Sequence, residues 1–156
     1  KSLIILMFGP AGPNDAAMFD IDDTLIWTNG QPNTPIIDLL HKMRSLGYKI
    51  IIITARPGFQ QVITWTVEQL KSHGIVYDYL GFTSAKTKTI MKKKLGYNFV
   101  LSVGDMPTDW TDSVYYINTS NSYHNSDNSQ KLSLVHPQTE FEVDNRLFSL
   151  IYSAHM

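Results

Sequence analysis

Four aspartates in two clusters offer the residue types of this chain best suited to chemistry. Asp20 and Asp22 lie in Phe19-Asp20-Ile21-Asp22-Asp23-Thr24-Leu25. Asp105 and Asp109 lie in Val103-Gly104-Asp105-Met106-Pro107-Thr108-Asp109. Each cluster adjoins an apolar run that reads as a buried strand, and a third run, Ile50-Ile51-Ile52-Ile53, ends in Thr54. Carboxylates at the ends of neighbouring buried strands are costly unless they meet a cation or a substrate. In an extended segment, residues i and i+2 point the same way, so Asp20 and Asp22 are expected to face one site. A carboxylate can attack phosphorus to form an aspartyl-phosphate, and a second carboxyl can protonate the leaving oxygen and then activate water. Two acids facing a phosphate dianion repel it. The scheme therefore needs a hard cation such as Mg²⁺ with oxygen ligands from both clusters. It also needs donors for the phosphoryl oxygens, here the Thr54 hydroxyl and backbone N–H and the ammonium of Lys86 or Lys88.

The ordered set resembles the haloacid dehalogenase-like phosphohydrolase superfamily from about Met18 to Asp109. It comprises Asp-x-Asp-x-Thr, an apolar strand ending in Thr, a lysine, then apolar-Gly-Asp-x-x-x-Asp. The resemblance implies that Asp20 is the nucleophile and Asp22 the general acid/base. It implies Mg²⁺ held by Asp20, the backbone carbonyl of Asp22 and Asp105, with Asp109 supporting the metal directly or through water. Thr54 would hold the phosphoryl group. Lys86, four residues before Ile90, is the preferred match to the family's lysine, with Lys88 as the competing assignment. An acid at position 22 points to a phosphatase or phosphotransferase rather than a dehalogenase or phosphonatase.

Only 28 residues separate Leu25 from Thr54 and 31 separate Thr54 from Lys86, and a helix and a strand fill each span. A large inserted cap therefore has no room. The chain is similar to the capless type, nearest to the acid phosphatase-like group, which shares the doubled acid in Asp-Ile-Asp-Asp-Thr. The segment from Asn118 to Tyr123 adds to that resemblance. The chain also resembles the phosphatase domain of polynucleotide kinase-phosphatase proteins, through Trp65 on the helix after the second motif and Gly74-Ile75. An open site suits a large substrate, or a small one enclosed by a second subunit of a homo-oligomer. The expected substrate is a phosphorylated small molecule or nucleotide, with nucleic acid as the alternative. Thr24, Ala55, Arg56 and Trp27 are the candidate substrate contacts, and Trp110 also flanks the site. A non-catalytic scaffold that keeps the fold is the rival from another class.

These residues must be placed by the elements between them. Strand-like and helix-like segments alternate, which predicts an α/β, Rossmann-like three-layer sandwich with a mainly parallel sheet. Strands are expected at Ala17 to Ile21, Lys49 to Ile53, within Ile75 to Phe82, at Phe99 to Val103 and at Val114 to Ile117. Thr34-Pro35 reads as an N-cap with proline opening a helix, whose apolar stripe runs through Ile36, Leu39, Leu40, Met43 and Leu46 to a stop at Gly47. A second helix is expected over about 58–72 with Phe59, Val62, Ile63, Thr66, Val67 and Leu70 inward, and Trp65 at the edge of the core. A lysine-rich third helix is expected over about 86–95.

The 156 residues read as one domain: a core at about 15–117, a polar loop at 118–131 with four Asn and four Ser, and an extension at 132–156. That extension is read as a short strand at Leu132 to Val135 and a helix around Asn145 to Tyr152. A net charge of −1 gives no global attraction to nucleic acid or anionic membrane. The five lysines between Lys86 and Lys94 read as a solvated helix face. The chain has no cysteine, which excludes disulfides and thiolate metal sites. No His pair has metal-ligand spacing, and Gly9-Pro10-Ala11-Gly12-Pro13 lacks the lysine of a P-loop. The opening run from Lys1 to Phe8 reads as a strand rather than the remnant of a signal peptide, which makes a cytoplasmic location the expectation.

Overall fold

The computed structural model describes residues 8–120 and two short strands at 133–134 and 152–153. The strand expected at the opening run and most of the C-terminal extension lie outside the described residues. Five parallel strands form the centre: β1 (Asp15–Phe19), β2 (Lys49–Thr54), β3 (Tyr79–Phe82), β4 (Asn98–Gly104) and β5 (Ser113–Asn118). Their order is β3-β2-β1-β4-β5, extended by β6 (Ser133–Leu134) and β7 (Tyr152–Ser153), which both pair antiparallel with β5. The α/β sandwich expected from the alternating segments is the architecture found.

The reason lies in residue type. Lys49-Ile50-Ile51-Ile52-Ile53-Thr54 is buried from its second residue onward, as a strand covered on both faces must be. Alternate residues of β1 feed opposite faces of the sheet. Ala17 and Phe19 join Ile50, Ile52, Leu101 and Val103 beneath helix α1 (Thr34–Ser45), which contributes Ile36, Leu39, Leu40 and Met43. Leu70 of helix α2 (Gln60–Ser72) packs into the same layer. Ala16, Met18, Ile51, Ile53 and Phe99 form the other layer, covered by Met91 and Leu95 of helix α3 (Lys88–Leu95). Gly47 and Gly96, both at positive φ, end α1 and α3 where a side chain would be strained.

Four local expectations change. Asn33, not Thr34, is the residue before α1, and its Nδ2 donates to Thr24 O at 2.8 Å instead of capping the helix. Helix α2 buries only Thr66 and Leu70, while Phe59 and Val67 are exposed. The mixed stripe gives this helix a shallow seat on the sheet. A 3-10 turn (Ala85–Thr87) precedes α3, so that helix starts at Lys88. Of the extension, Ser133–Leu134 is strand as expected, and Tyr152–Ser153 is strand where the end of a helix was expected. Among the described residues, no helix is long and apolar enough to cross a membrane.

Candidate active site

β1 and β4 are neighbours although β2 and β3 intervene in sequence, so the winding of the sheet reverses between them. A crevice opens at the carboxyl ends of strands at such a switch point. Asp20 follows β1 and Asp105 follows β4, so the topology brings the two acidic clusters together. The Asp20 N–H donates to Val103 O at 3.0 Å, carrying the β1–β4 ladder into the site. One carboxylate oxygen each from Asp20, Asp105 and Asp109 lies within 4.8 Å of the other two.

Asp109 arrives from a short helix, α4 (Pro107–Trp110), and is fully buried. Its Oδ2 accepts from the Met106 N–H at 3.1 Å, which ties the turn to its own acid. Gly104 leaves the room for this: a Cβ there would stand 2.2 Å from Asp109 Oδ2 and 2.4 Å from its Cγ. Lys88 Nζ donates to Asp20 Oδ1 and to Asp109 Oδ1, each at 2.8 Å. Of the two competing lysines, the structure brings Lys88 to the carboxylates and not the preferred Lys86. Lys86 lies in the 3-10 turn and is exposed, whereas Lys88 opens α3 and points at the strand ends.

Asp22 is not alongside Asp20. The chain leaves β1 in a tight turn, with the Leu25 and Ile26 N–H groups both donating to Ile21 O and Asp23 at φ 60°. The i, i+2 rule holds for extended backbone only, and this backbone is curled. Asp22 therefore sits at the rim, its side chain 53% exposed, and receives Arg56 Nε at 3.0 Å and Nη2 at 2.9 Å. Arg56 also donates Nη1 to Thr66 Oγ1 at 3.0 Å and lies 4.7 Å from the centre of the Trp65 ring. Trp65 is 55% exposed, not the edge of the core it was expected to be.

The remaining candidates surround this frame. Thr54 is buried at the end of β2, its Oγ1 accepting from the Arg56 N–H at 3.1 Å. Thr24 Oγ1 donates to Asp20 Oδ2 at 3.4 Å and shares a 3.1 Å hydrogen bond with Thr119 Oγ1. Ala55 is exposed beside Thr54, and Trp27 is half-buried in the turn closed by the Gly30 N–H on Trp27 O. Trp110 is wall, stacked on Tyr116 with its Nε1 donating to Gly104 O at 2.9 Å. Sequence reasoning missed two residues. Thr119 was assigned to an exposed loop yet is fully buried beside Thr24. Lys92 was assigned to a solvated face, and it too is buried; Lys86, Lys93 and Lys94 are the exposed lysines of this run. One turn separates Lys88 from Lys92, and that i, i+4 spacing was the available signal.

Among the described residues, the three carboxylates face one contacting ammonium, Lys88, which touches Asp20 and Asp109, leaving an excess of two formal negative charges. Burial pushes the Asp20 pKa up to about 7, helped by Asp105 and opposed by Lys88. Burial likewise raises Asp109 to about 6, with Asp20 adding and Lys88 opposing, and raises Asp105. Burial pulls Lys88 down, but Asp20 and Asp109 outweigh it and the net shift is upward. An all-oxygen donor set with two charges to neutralise fits a hard divalent cation such as Mg²⁺.

The family described as haloacid dehalogenase-like hydrolase matches residues 17–152, and the chain belongs to it. No curated protein matches the chain. Among solved structures, it is similar to a chain in the "Structure of Pnkp1/Rnl/Hen1 complex", at 24% identity and a TM-score of 0.52. That match covers 62% of this chain and 40% of the other. A chain in the "Structure of the Pnkp1/Rnl/Hen1 RNA repair complex" matches at 24% identity and a TM-score of 0.49, covering 62% and 37%. This chain thus spans well under half the length of either. At such identity the likeness speaks for the fold.

Two outcomes follow from this geometry. Gly104→Ala should leave the protein folded but displace Asp109, weakening Mg²⁺ binding by about tenfold or more, as read by calorimetry. Binding equal to the parent would show that the Gly104–Asp109 approach is dispensable. The second concerns pH. Raised carboxyls bind more protons folded than unfolded, so the metal-free fold loses stability as pH rises from the ordinary 3.8 towards 7. A cation needs the ionised forms, so Mg²⁺ affinity should climb through the same window and level off above it, with protons released at the lower end. Calorimetry in buffers of different ionisation enthalpy measures both. Affinity unchanged between about pH 5 and about pH 8 would contradict this account.

Proposed function

We propose that the protein is a Mg²⁺-dependent phosphomonoester hydrolase working through an aspartyl-phosphate on Asp20. One observation carries the reading: Asp20 is buried at the switch point, tied to Lys88, with Asp105 and Asp109 alongside. In this reading Asp20, Asp105, the backbone carbonyl of Asp22 and, directly or through water, Asp109 would hold the cation. When bound, it offsets the repulsion between the carboxylates and the phosphoryl oxygens.

Asp20 attacks phosphorus; an oxygen–phosphorus bond forms on its carboxylate as the bond to the leaving oxygen breaks. Lys88 keeps the carboxylate in one orientation and supplies positive charge beside the phosphoryl group. Thr54, at the end of β2, offers the phosphoryl oxygens a hydroxyl. Asp22 hands a proton to the leaving oxygen and takes one back from the water that cleaves the aspartyl-phosphate. Arg56 uses one acceptor site on each Asp22 oxygen, and a carboxylate has about four, so Asp22 keeps capacity while held in place. The segments between the motifs carry α1 and β2 in the first case, α2 and β3 in the second, joined by turns, in keeping with an open, capless, acid phosphatase-like site.

A second reading, polynucleotide end-processing, is favoured by the exposed Trp65 ring packed on Arg56 at the rim. An exposed indole there offers a base a stacking surface. One solved structure of similar fold is a chain of the "Structure of Pnkp1/Rnl/Hen1 complex", which suits this reading.

The test is hydrolysis of an aryl phosphate with Mg²⁺, with EDTA, and by Asp20→Asn. Turnover should fall by roughly three orders of magnitude or more in both controls. A folded protein with neither turnover nor Mg²⁺ binding would leave the scaffold reading. End-processing predicts that Trp65→Ala raises KM for a phosphorylated oligonucleotide by about tenfold, the equivalent of one stacked base, and leaves the aryl phosphate alone. Equal effects on both substrates would remove it.

A further inference from the structure

Helix α3 carries two buried lysines one turn apart, and the reaction above uses only the first. Lys92 Nζ donates to Ser102 Oγ at 2.9 Å, Asp109 O at 3.0 Å and Ser113 Oγ at 3.0 Å, and also to Thr111 O. The ammonium lies 5.2 Å from the centre of the Phe99 ring. The residue is 1% exposed, and no carboxylate touches it among the described residues. Burial pulls its pKa down to about 7, against the pull of Asp109 and Asp112. A methionine would fill the same space without that desolvation.

The acceptors show what the charge achieves. Two are main-chain carbonyls of the Asp109–Thr111 turn, and two are hydroxyls from β4 and β5. Neither carbonyl can be satisfied by an apolar side chain, and an ammonium brings three donors to the set. We propose that Lys92 is a positioning residue for Asp109 and, through it, for the cation site. Lys88 holds the Asp109 carboxylate from the side of the site, and Lys92 holds its carbonyl from behind. Together they clamp the α4 turn between α3 and the two strands that carry it. The inference rests on the cation reading of the site.

Lys92→Met is the test, with Leu70→Ala as a destabilised control in the opposite layer. Three readouts apply: hydrogen exchange over residues 105–111 in EDTA, Mg²⁺ affinity by calorimetry, and kcat and KM on an aryl phosphate. Lys92→Met should exchange faster over 105–111, bind Mg²⁺ about tenfold or more weakly, and lose kcat with KM nearly unchanged. Leu70→Ala should show none of these. If Lys92→Met does not fold, the Ser102→Ala/Ser113→Ala pair cuts the tie to the strands, keeps the ammonium, and should move all three readouts the same way. A folded variant with the parent's exchange and Mg²⁺ affinity overturns the inference, as does an equal effect in the control. A parent that neither binds Mg²⁺ nor turns over overturns the cation reading as well. A parent that does both while the variant matches it removes only the role of Lys92.

Discussion

The Lys88 ammonium between Asp20 and Asp109 is the interaction on which the arrangement depends. Three carboxyls converge where β1 and β4 end, and a low-dielectric crevice cannot hold them all charged. Lys88 offsets one charge by direct contact at 2.8 Å to two of them. Removing one partner of such a buried pair typically costs about 3–5 kcal/mol, because the other is left buried and uncompensated. That contact ties the first residue of α3 to the ends of β1 and β4 across the second layer of the core. The charge still unmatched leaves the site receptive to a divalent cation.

The site has an inner and an outer half with different physics. Inside, Asp20, Asp109 and Lys88 are cut off from water; burial raises the two carboxyls, and their charge holds the lysine's proton against its own burial. Outside, Asp22 and Arg56 form a bidentate pair against Thr66 and Trp65, with water reaching the carboxylate. A group that exchanges protons with a leaving oxygen and with water gains from such access. A nucleophile gains from being dry and fixed. The curled backbone from Asp20 to Ile26 creates this division by turning two acids of one motif in different directions.

Much of this was legible in the residues. The uniformly apolar run at Ile50 to Ile53 reads as a strand covered on both faces, Phe99 to Val103 reads as a second buried strand, and the alternation of segments points to a parallel sheet. Acids following two of those strands point to a shared site, because strand ends in such sheets converge on one crevice. Lysine identity was not legible. Lys86 and Lys88 differ by two residues, and only the start of α3 decides which one points inward. Thr119 was hidden by its company, a polar run that reads as solvent-exposed, although the ladder from β5 carries it into the site. Trp65 was assigned to the edge of the core because a large aromatic on a helix usually packs there, but α2 sits too shallowly to cover it.

The division has a physical basis. Local sequence governs what depends on local forces: the period of apolar residues, the stops at Gly47 and Gly96, and the cost of placing charge beside a buried strand. These determined the strands, the helices and the carboxylates that gather at the strand ends. What depends on contacts between distant segments was decided only by the tertiary structure. Lys88 meets Asp20 across 68 residues of sequence, and Arg56 meets Asp22 across 34. Lys92 finds its carbonyls only once α3 is laid against β4 and β5. A side chain's direction follows from the rotation of its element against the sheet, and packing sets that rotation.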